Sequence, residues 1–565
     1  MPLVISGDPK GKSIVYCSGN SVIIRDVQNP TVCDVYTEHP TLTTVAKYAP
    51  SGFYAASGDK SGKIRIWDTT QKEHLLKSEY QFLSGPIRDI TWSPDSQRLA
   101  VVGEGRDRFG HVFLFDTGTS NGNLSGQTKS INSADFRPVR PLRIVTASED
   151  NSVAIFEGPP FKFKTYFHNH TRFAQCVRYA PSGKFFASCG ADGKLCWSPD
   201  EKQILTASAD RTCKIWDVES GALSVVFPFG KSIENQQLGC LWQGPHLISV
   251  SLSGFLNYLD PTNPEKPRMV VKGHNKPITA LSVDPEHSLA FTADMDGYIM
   301  RWGTSSGMCQ QAEPKFHLSQ VQSMCLAAGV LLSVSMDDTV AFIKGACGED
   351  SSSDTWSVSP RQISLSSQPR GVASKADMSL SVVVCAKEIV VFRSETELLS
   401  SPLDYEATCV AVHPTEDCII VGGEDSKLHV YTLAGSSLSV SHEMTHHGTV
   451  TDVTFSSNGC FFAATDASRR VVPYIYPSCE NAVKNDWTFH TARVNCVAFS
   501  PDNRHLASGS LDTSVIVWDI ENPKEHPIII QAAHTMSQVT GIAWLDPSTV
   551  LSVGQDGNIK QWNIL

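Results

Sequence analysis

The chain has no excess of positive charge: 47 Lys and Arg stand against 58 Asp and Glu, a formal net charge of −11. A general nucleic-acid binder needs a basic field, so that class is set aside. No apolar run is long enough to span a bilayer, the longest being stretches such as Leu326 to Val334. No signal-peptide h-region precedes Gly7, which gives the expectation of a protein that is not secreted. The 16 cysteines contain no C-x-x-C pair and no framework spacing, and Cys17, Cys213, Cys385 and Cys496 fall on predicted strands. They read as small buried hydrophobes in a reducing compartment. The sequons at Asn123 and Asn169 carry little meaning without secretion. What remains is ordinary globular composition, 41% hydrophobic and 19% charged, with length enough for two cores.

What the chain does have is a period. Eleven residues after a Pro-Asp or Pro-Ser turn comes an Asp or its stand-in, and six residues later an aromatic. Pro501, Asp512 and Trp518 show it, as do Pro199, Asp210 and Trp216; Pro285, Asp296 and Trp302; and Pro414, Asp425 and Tyr431. Self-similarity at this period predicts WD-type propeller blades, each a four-stranded antiparallel sheet. Predicted third strands end mostly 39 to 48 residues apart, with one gap of 60 between Glu157 and Asp217. Pro181 to Asp192 again spans eleven residues, yet Pro199 opens the next repeat seven residues later. One blade is therefore expected to lack its third and fourth strands, and Ala191 to Glu201 to be irregular, with Leu195 to Trp197 starting the next blade.

Thirteen complete repeats and one truncated repeat make fourteen, too many for one ring. The expected fold is all-β: two tandem WD-repeat propellers of nominally seven blades each, residues 1–268 and 269–565, with the N-terminal ring carrying a blade truncated near 193–199. Because the chain opens on a first strand (Leu3 to Ser6) and stops on a third (Asn558 to Leu565), no terminal strand is left over to complete the last sheet.

Within a blade, His490, Ser508, Asp512 and Trp518 have the offsets of a buried hydrogen-bonded chain. So do His274, Thr292, Asp296 and Trp302, and His534, Ser552, Asp556 and Trp562. A His–Ser–Asp set also suggests a hydrolase, but recurrence at one offset is how scaffolding behaves, and the chain is read as non-enzymatic. His442-Glu443-Met444-Thr445-His446 fits H-E-x-x-H, yet the repeat register puts it on an outer strand, where the histidines do not converge. One of His446 and His447 is the structural histidine of the next blade. Ser6 to Ser13 imitates a phosphate loop but leads into a strand. No metal and no cofactor are expected. Ser351 to Ser367 reads as a solvated loop.

One cluster is not absorbed by the blade pattern. Gly103 to Gly110 (GEGRDRFG) extends a turn that is four residues shorter elsewhere. One blade on, Gly158 to Lys164 (GPPFKFK) is followed by Tyr166, Phe167, Arg172 and Phe173. Phenylalanines interleaved with Lys and Arg on outer strands and loops suit a protein interface. Arg106, Asp107, Glu149, Phe161, Phe163 and Phe173 are the candidate partner-binding residues; the alternative is that Phe161 and Phe163 point inward.

VVGEGRDRFGHVFLFDTG, NSVAIFEGPPFKFK, YTEHPTLTTVAKYAPSGFYAASGD, QQLGCLWQ, DWTFHTARV and HPIII together resemble the actin-interacting protein 1 family along nearly the whole chain. That resemblance implies two seven-bladed propellers and binding to actin filaments decorated with actin-depolymerising factor/cofilin. It also implies promotion of their disassembly, capping of barbed ends, and a cytoplasmic, cytoskeletal, monomeric protein. It assigns partner contacts to Asp107, Glu149, Phe163 and Phe173. The chain departs from the family in lacking the N-terminal strand before the GDPKG-like turn and the stretch between Gly193 and Cys196. The alternative function is a generic WD-repeat scaffold, such as a ubiquitin-ligase substrate receptor or a signalling platform.

Overall fold

The computed structural model describes residues 4–191, 193–348, 355–484 and 487–564. Among the described residues every regular element is a strand except the single 3₁₀ turn Ile233–Asn235. Short β-branched runs separated by Gly, Asp and Ser turns favour hairpins over helices. The strands form fourteen antiparallel meanders, numbered here as sheets 1–14 along the chain. They are the blades of tandem WD propellers.

The chain divides into two compact units, residues 1–275 and 276–565. The division falls after Asn275 rather than after residue 268, because Met269–Val271 pairs with Leu256–Tyr258 as the outer strand of sheet 7. In the N-terminal unit the inner strands are Ile5–Gly7, Thr43–Tyr48, Ile87–Trp92, Ile131–Phe136, Cys176–Tyr179, Gly193–Trp197 and Gln237–Gln243. Each packs on the next, and sheet 7 returns to sheet 1. That junction is apolar: Ile5, Ile14 and Tyr16 share one core cluster with Ile248, Val250 and Leu256. Gln243 also donates from Nε2 to the Asp8 carbonyl at 2.7 Å.

Among the described residues six of these seven sheets have four strands and sheet 5 has two, Cys176–Tyr179 and Phe186–Cys189. The expected inner strand Leu195 to Trp197 is present, and the irregularity expected beside it is corrected at Gly193 and Lys194. Gly193–Trp197 is a regular inner strand, paired from Gly193↔Ser208 to Trp197↔Ile204. The chain skips two strands and begins the next sheet at once, so the partner strand Gln203–Ser208 satisfies the backbone that was expected to be frayed. Asp192 lies outside the described residues.

In the C-terminal unit the inner strands run from Ile278–Asp284 in sheet 8 to Val539–Asp546 in sheet 14. Many inner strands carry a bulge at their second residue, as at Ile278/Ala280, Ala407/Cys409 and Val539/Gly541. The bulge turns that side chain toward the neighbouring blade. Thr279 Oγ1 donates to the Val321 carbonyl at 2.6 Å and Thr408 Oγ1 to that of Val450 at 2.7 Å. The same bond closes the ring, from Thr540 Oγ1 to the Ile278 carbonyl at 2.7 Å. Sheet 14 has three strands among the described residues, ending on Ile559–Asn563. Part of the expected serine-rich loop is also corrected to strand. Thr355–Ser357 adds in parallel to the outer edge of sheet 8, and Arg361–Ser364 is the outer strand of sheet 9. Residues 351–354 lie outside the described residues.

Candidate functional site

The buried polar sets sit between the inner hairpins and the third strands. His490 Nδ1 is 3.0 Å from Asp512 Oδ2 and its Nε2 is 2.9 Å from Ser508 Oγ, which also accepts from Trp518 Nε1 at 2.9 Å. His534 repeats this with Asp556 at 2.9 Å, Ser552 at 2.9 Å and Trp562 Nε1 at 2.8 Å. In the His274 set, Trp302 Nε1 donates to Thr292 Oγ1 at 2.7 Å, and Lys276 Nζ stands 3.9 Å from Asp296. Sequence reasoning missed a further set: His39 with Asp59 at 3.1 Å, Ser57 at 2.6 Å and Trp67 Nε1 donating to Ser57 at 3.1 Å. Its Asp comes two residues earlier than the eleven-residue ruler requires, although the His-to-Ser spacing of eighteen would have found it. Burial works to raise the Asp59 pKa, but the bonds from His39 and Ser61 win and hold it down at about 2. The His39, His490 and His534 sets are buried with their hydrogen bonds already made, which suits scaffolding rather than a nucleophile awaiting substrate. In the His274 set Asp296 is corrected from buried to exposed, with 47% of its side chain in water.

The H-E-x-x-H segment lies on the outer strand Ser437–Thr445, with Glu443 paired to Lys427 at 2.9 Å. His446 is the structural histidine, 3.0 Å from Tyr474 Oη. The phosphate-loop look-alike joins the strands Ile5–Gly7 and Ser13–Ser18, with no helix to bind an anion.

In a meander the turns between strands 2 and 3 and the connections from strand 4 to the next strand 1 emerge at one end. Asp107 lies in the 2–3 turn of sheet 3, Glu149 in that of sheet 4, and Phe173 in the connection into sheet 5. The topology therefore brings Asp107, Glu149 and Phe173 to the same end of the N-terminal unit. Arg106 and Asp107 are exposed, and Arg106 N donates to Ser84 Oγ at 3.1 Å. Glu149 is half-exposed and ion-paired: Arg88 reaches Glu149 at 2.5 Å and Glu104 at 2.6 Å, tying the two turns together.

The phenylalanines separate. Phe163 and Phe173 are each 41% exposed. Phe163 stands on the outer strand Lys162–Phe167, its ring 4.3 Å from that of Tyr166, whose hydroxyl donates to the Gly126 carbonyl. Phe161 is corrected from interface to core. It is 2% exposed, stands edge-on to Phe136 at 5.5 Å, and sits among Leu124, Ile144 and Phe156. Its backbone N–H donates to Asn121 O at 3.0 Å, which anchors it against sheet 3.

Sequence reasoning also missed the charge cluster on the inner strands of the same unit. Lys47 and Arg178 flank Asp89 at 2.8 and 3.0 Å, and Ser133 Oγ donates to Asp89 at 2.9 Å. Burial alone would raise the Asp89 carboxyl, but Arg178 and Lys47 hold it well below the usual carboxylate range. Burial keeps Asp135 above its ordinary value despite Arg178 and Lys47. A cavity of about 340 Å³ adjoins the cluster, lined by Lys47, Arg178, Lys194 and Trp197 among others. The signal was a charged residue just before an inner-strand aromatic, as in Lys47-Tyr48, Asp135-Phe136 and Arg178-Tyr179.

Comparison with known proteins supplies what the geometry leaves general. The chain matches the family described as WD domain, G-beta repeat, over residues 31–68, 118–157, 161–196, 194–217, 265–303, 400–432, 438–472, 483–519 and 526–563. It is 47% identical over 589 residues to a Drosophila melanogaster protein named actin-interacting protein 1, covering 100% of this chain and 95% of that one. A Caenorhabditis elegans protein of the same name is 46% identical, with 100% and 96% covered. WD repeat-containing protein 1 of Gallus gallus is 43% identical, with 99% and 96% covered.

Proposed function

The chain belongs to the actin-interacting protein 1 family, and on that premise we propose that it binds actin filaments and promotes disassembly of those decorated with actin-depolymerising factor/cofilin. Capping of barbed ends accompanies this activity. The observation that carries the reading is likeness over the full length of relatives named for interacting with actin. The exposed set Asp107, Phe163 and Phe173, together with the paired Glu149, is the contact surface this reading selects. An exposed aromatic beside a charged rim is the usual anchor arrangement.

The action is non-catalytic and cytoskeletal. What supports this is that the His–Ser–Asp sets recur in sheets 2, 13 and 14 with their hydrogen bonds already made. Binding alone is the energy source. A protein that binds a strained filament more tightly than an unstrained one shifts the balance toward breakage. Two linked binding units gain from effective concentration even when each contact is weak.

Co-sedimentation tests this. The chain should pellet with cofilin-decorated filaments more than with bare ones and release actin to the supernatant. Equal, negligible pelleting in both would leave only the general WD-repeat scaffold reading.

A further inference from the structure

Asp284, His287 and Cys347 bring a carboxylate oxygen, an imidazole nitrogen and a thiol sulfur within 4.8 Å of one another in the C-terminal unit. The actin-binding reading uses none of them. Asp284 ends the inner strand of sheet 8 and His287 sits in the turn that follows. Cys347 comes from sheet 9, just beyond the third strand Thr339–Ile343. The three side chains therefore bridge two blades.

Their positions are fixed by one contact within the trio and by a clamp from outside it. Asp284 Oδ2 is 2.7 Å from His287 Nδ1. The backbone on both sides of the thiol is clamped: Arg301 Nη1 donates to the Ala346 carbonyl at 3.0 Å and to the Gly348 carbonyl at 2.9 Å. Arg301 is itself held by Gln310 Oε1 at 2.5 Å and lies over the Trp356 ring at 5.3 Å. An Asp–His pair capping a turn needs no thiol, and a half-buried structural cysteine needs no imidazole beside it.

We propose that Asp284, His287 and Cys347 form a zinc site. One oxygen, one nitrogen and one sulfur suit a borderline-soft ion, whereas magnesium and calcium take oxygen ligands. Zinc bonds of about 2.0–2.3 Å put tetrahedral ligands roughly 3.3–3.8 Å apart. The Asp284–His287 contact then opens slightly and the thiol closes in; His287, exposed in its turn, has the freedom to move. Binding forms three ligand bonds, releases the Cys347 thiol proton to solvent, and leaves the fourth position to water. Zinc here staples two blades where the chain leaves sheet 9 to add Thr355–Ser357 to the edge of sheet 8.

The full chain, stripped with a chelator, is titrated with zinc alone and separately with cobalt. Wild type should take up one equivalent more than Cys347→Ser or His287→Gln, and its thiolate-to-cobalt absorption should vanish in Cys347→Ser. Zinc should raise the melting temperature of wild type and of neither variant. Equal uptake in all three proteins, or a cobalt band that survives Cys347→Ser, overturns the proposal. If Cys347→Ser melts early in chelator, the His287→Gln comparison decides alone, since that side chain is exposed.

Discussion

Replacing Phe163 and Phe173 together with Ala should uncouple binding from folding, and Phe161→Ala provides the contrast. Phe161 is 2% exposed within a closed apolar cluster. Its truncation removes the buried ring and leaves a cavity, at a cost of about 3–5 kcal/mol. For a unit of this size each kcal/mol moves the melting temperature by roughly 2–4 °C, so the N-terminal unit should melt roughly 6–20 °C earlier. Phe163 and Phe173 keep 41% of their surface in water. Each truncation should cost about 1 kcal/mol of folding, and the pair roughly 4–8 °C. If they anchor a partner, each contributes ~2 kcal/mol or more of binding, which is about 30-fold in affinity. Thermal melts are paired with co-sedimentation on cofilin-decorated filaments below the transition. A double variant that melts as early as Phe161→Ala yet binds normally refutes the assignment.

Asp107 is exposed at the rim, so Asp107→Lys should slow association more than Asp107→Ala, with the difference shrinking as salt rises; equal, salt-insensitive rates would exclude a rim role. Asp452 is pushed up to about 7 by desolvation, which outweighs the backbone N–H bonds from Val497 and Val453. Its folded value lies above its unfolded one, so stability is full below about pH 4 and falls as pH rises through 7, by a few kcal/mol at most. Asp452→Asn should flatten that arm in denaturant melts at pH 5 and 8. Asp59 has the opposite sign: held at about 2, it contributes stability above pH 4 that is lost as pH falls through 2, and Asp59→Asn should remove that loss from acid titrations. Inserting a blade-length segment between Cys189 and Gly193 should raise the melting temperature of the N-terminal unit and slow proteolysis of its neighbours, because sheet 5 then gains its missing strands.

The period alone determined the fold class, the fourteen sheets, the truncated fifth blade and the polar sets at His490 and His534. Those features are local: a strand's length, its turn residues and an offset of eighteen or twenty-two are written in consecutive sequence. Tertiary structure decided what depends on neighbouring blades. Alternation along GPPFKFK would give Phe161 and Phe163 one facing. Instead Phe161 precedes the strand and is drawn into the core by Asn121 of the adjacent sheet, while a register shift opposite Ile155 and Phe156 accompanies Phe163 at the surface. Glu149 became a paired rather than a free carboxylate because Arg88 reaches it from another blade. Lys47, Asp89 and Arg178 lie far apart in the chain and meet because successive inner strands line one centre. A repeat fixes each blade's internal geometry through short-range bonds, but the surface and centre of a ring are made by residues a blade or more apart, whose meeting no period records.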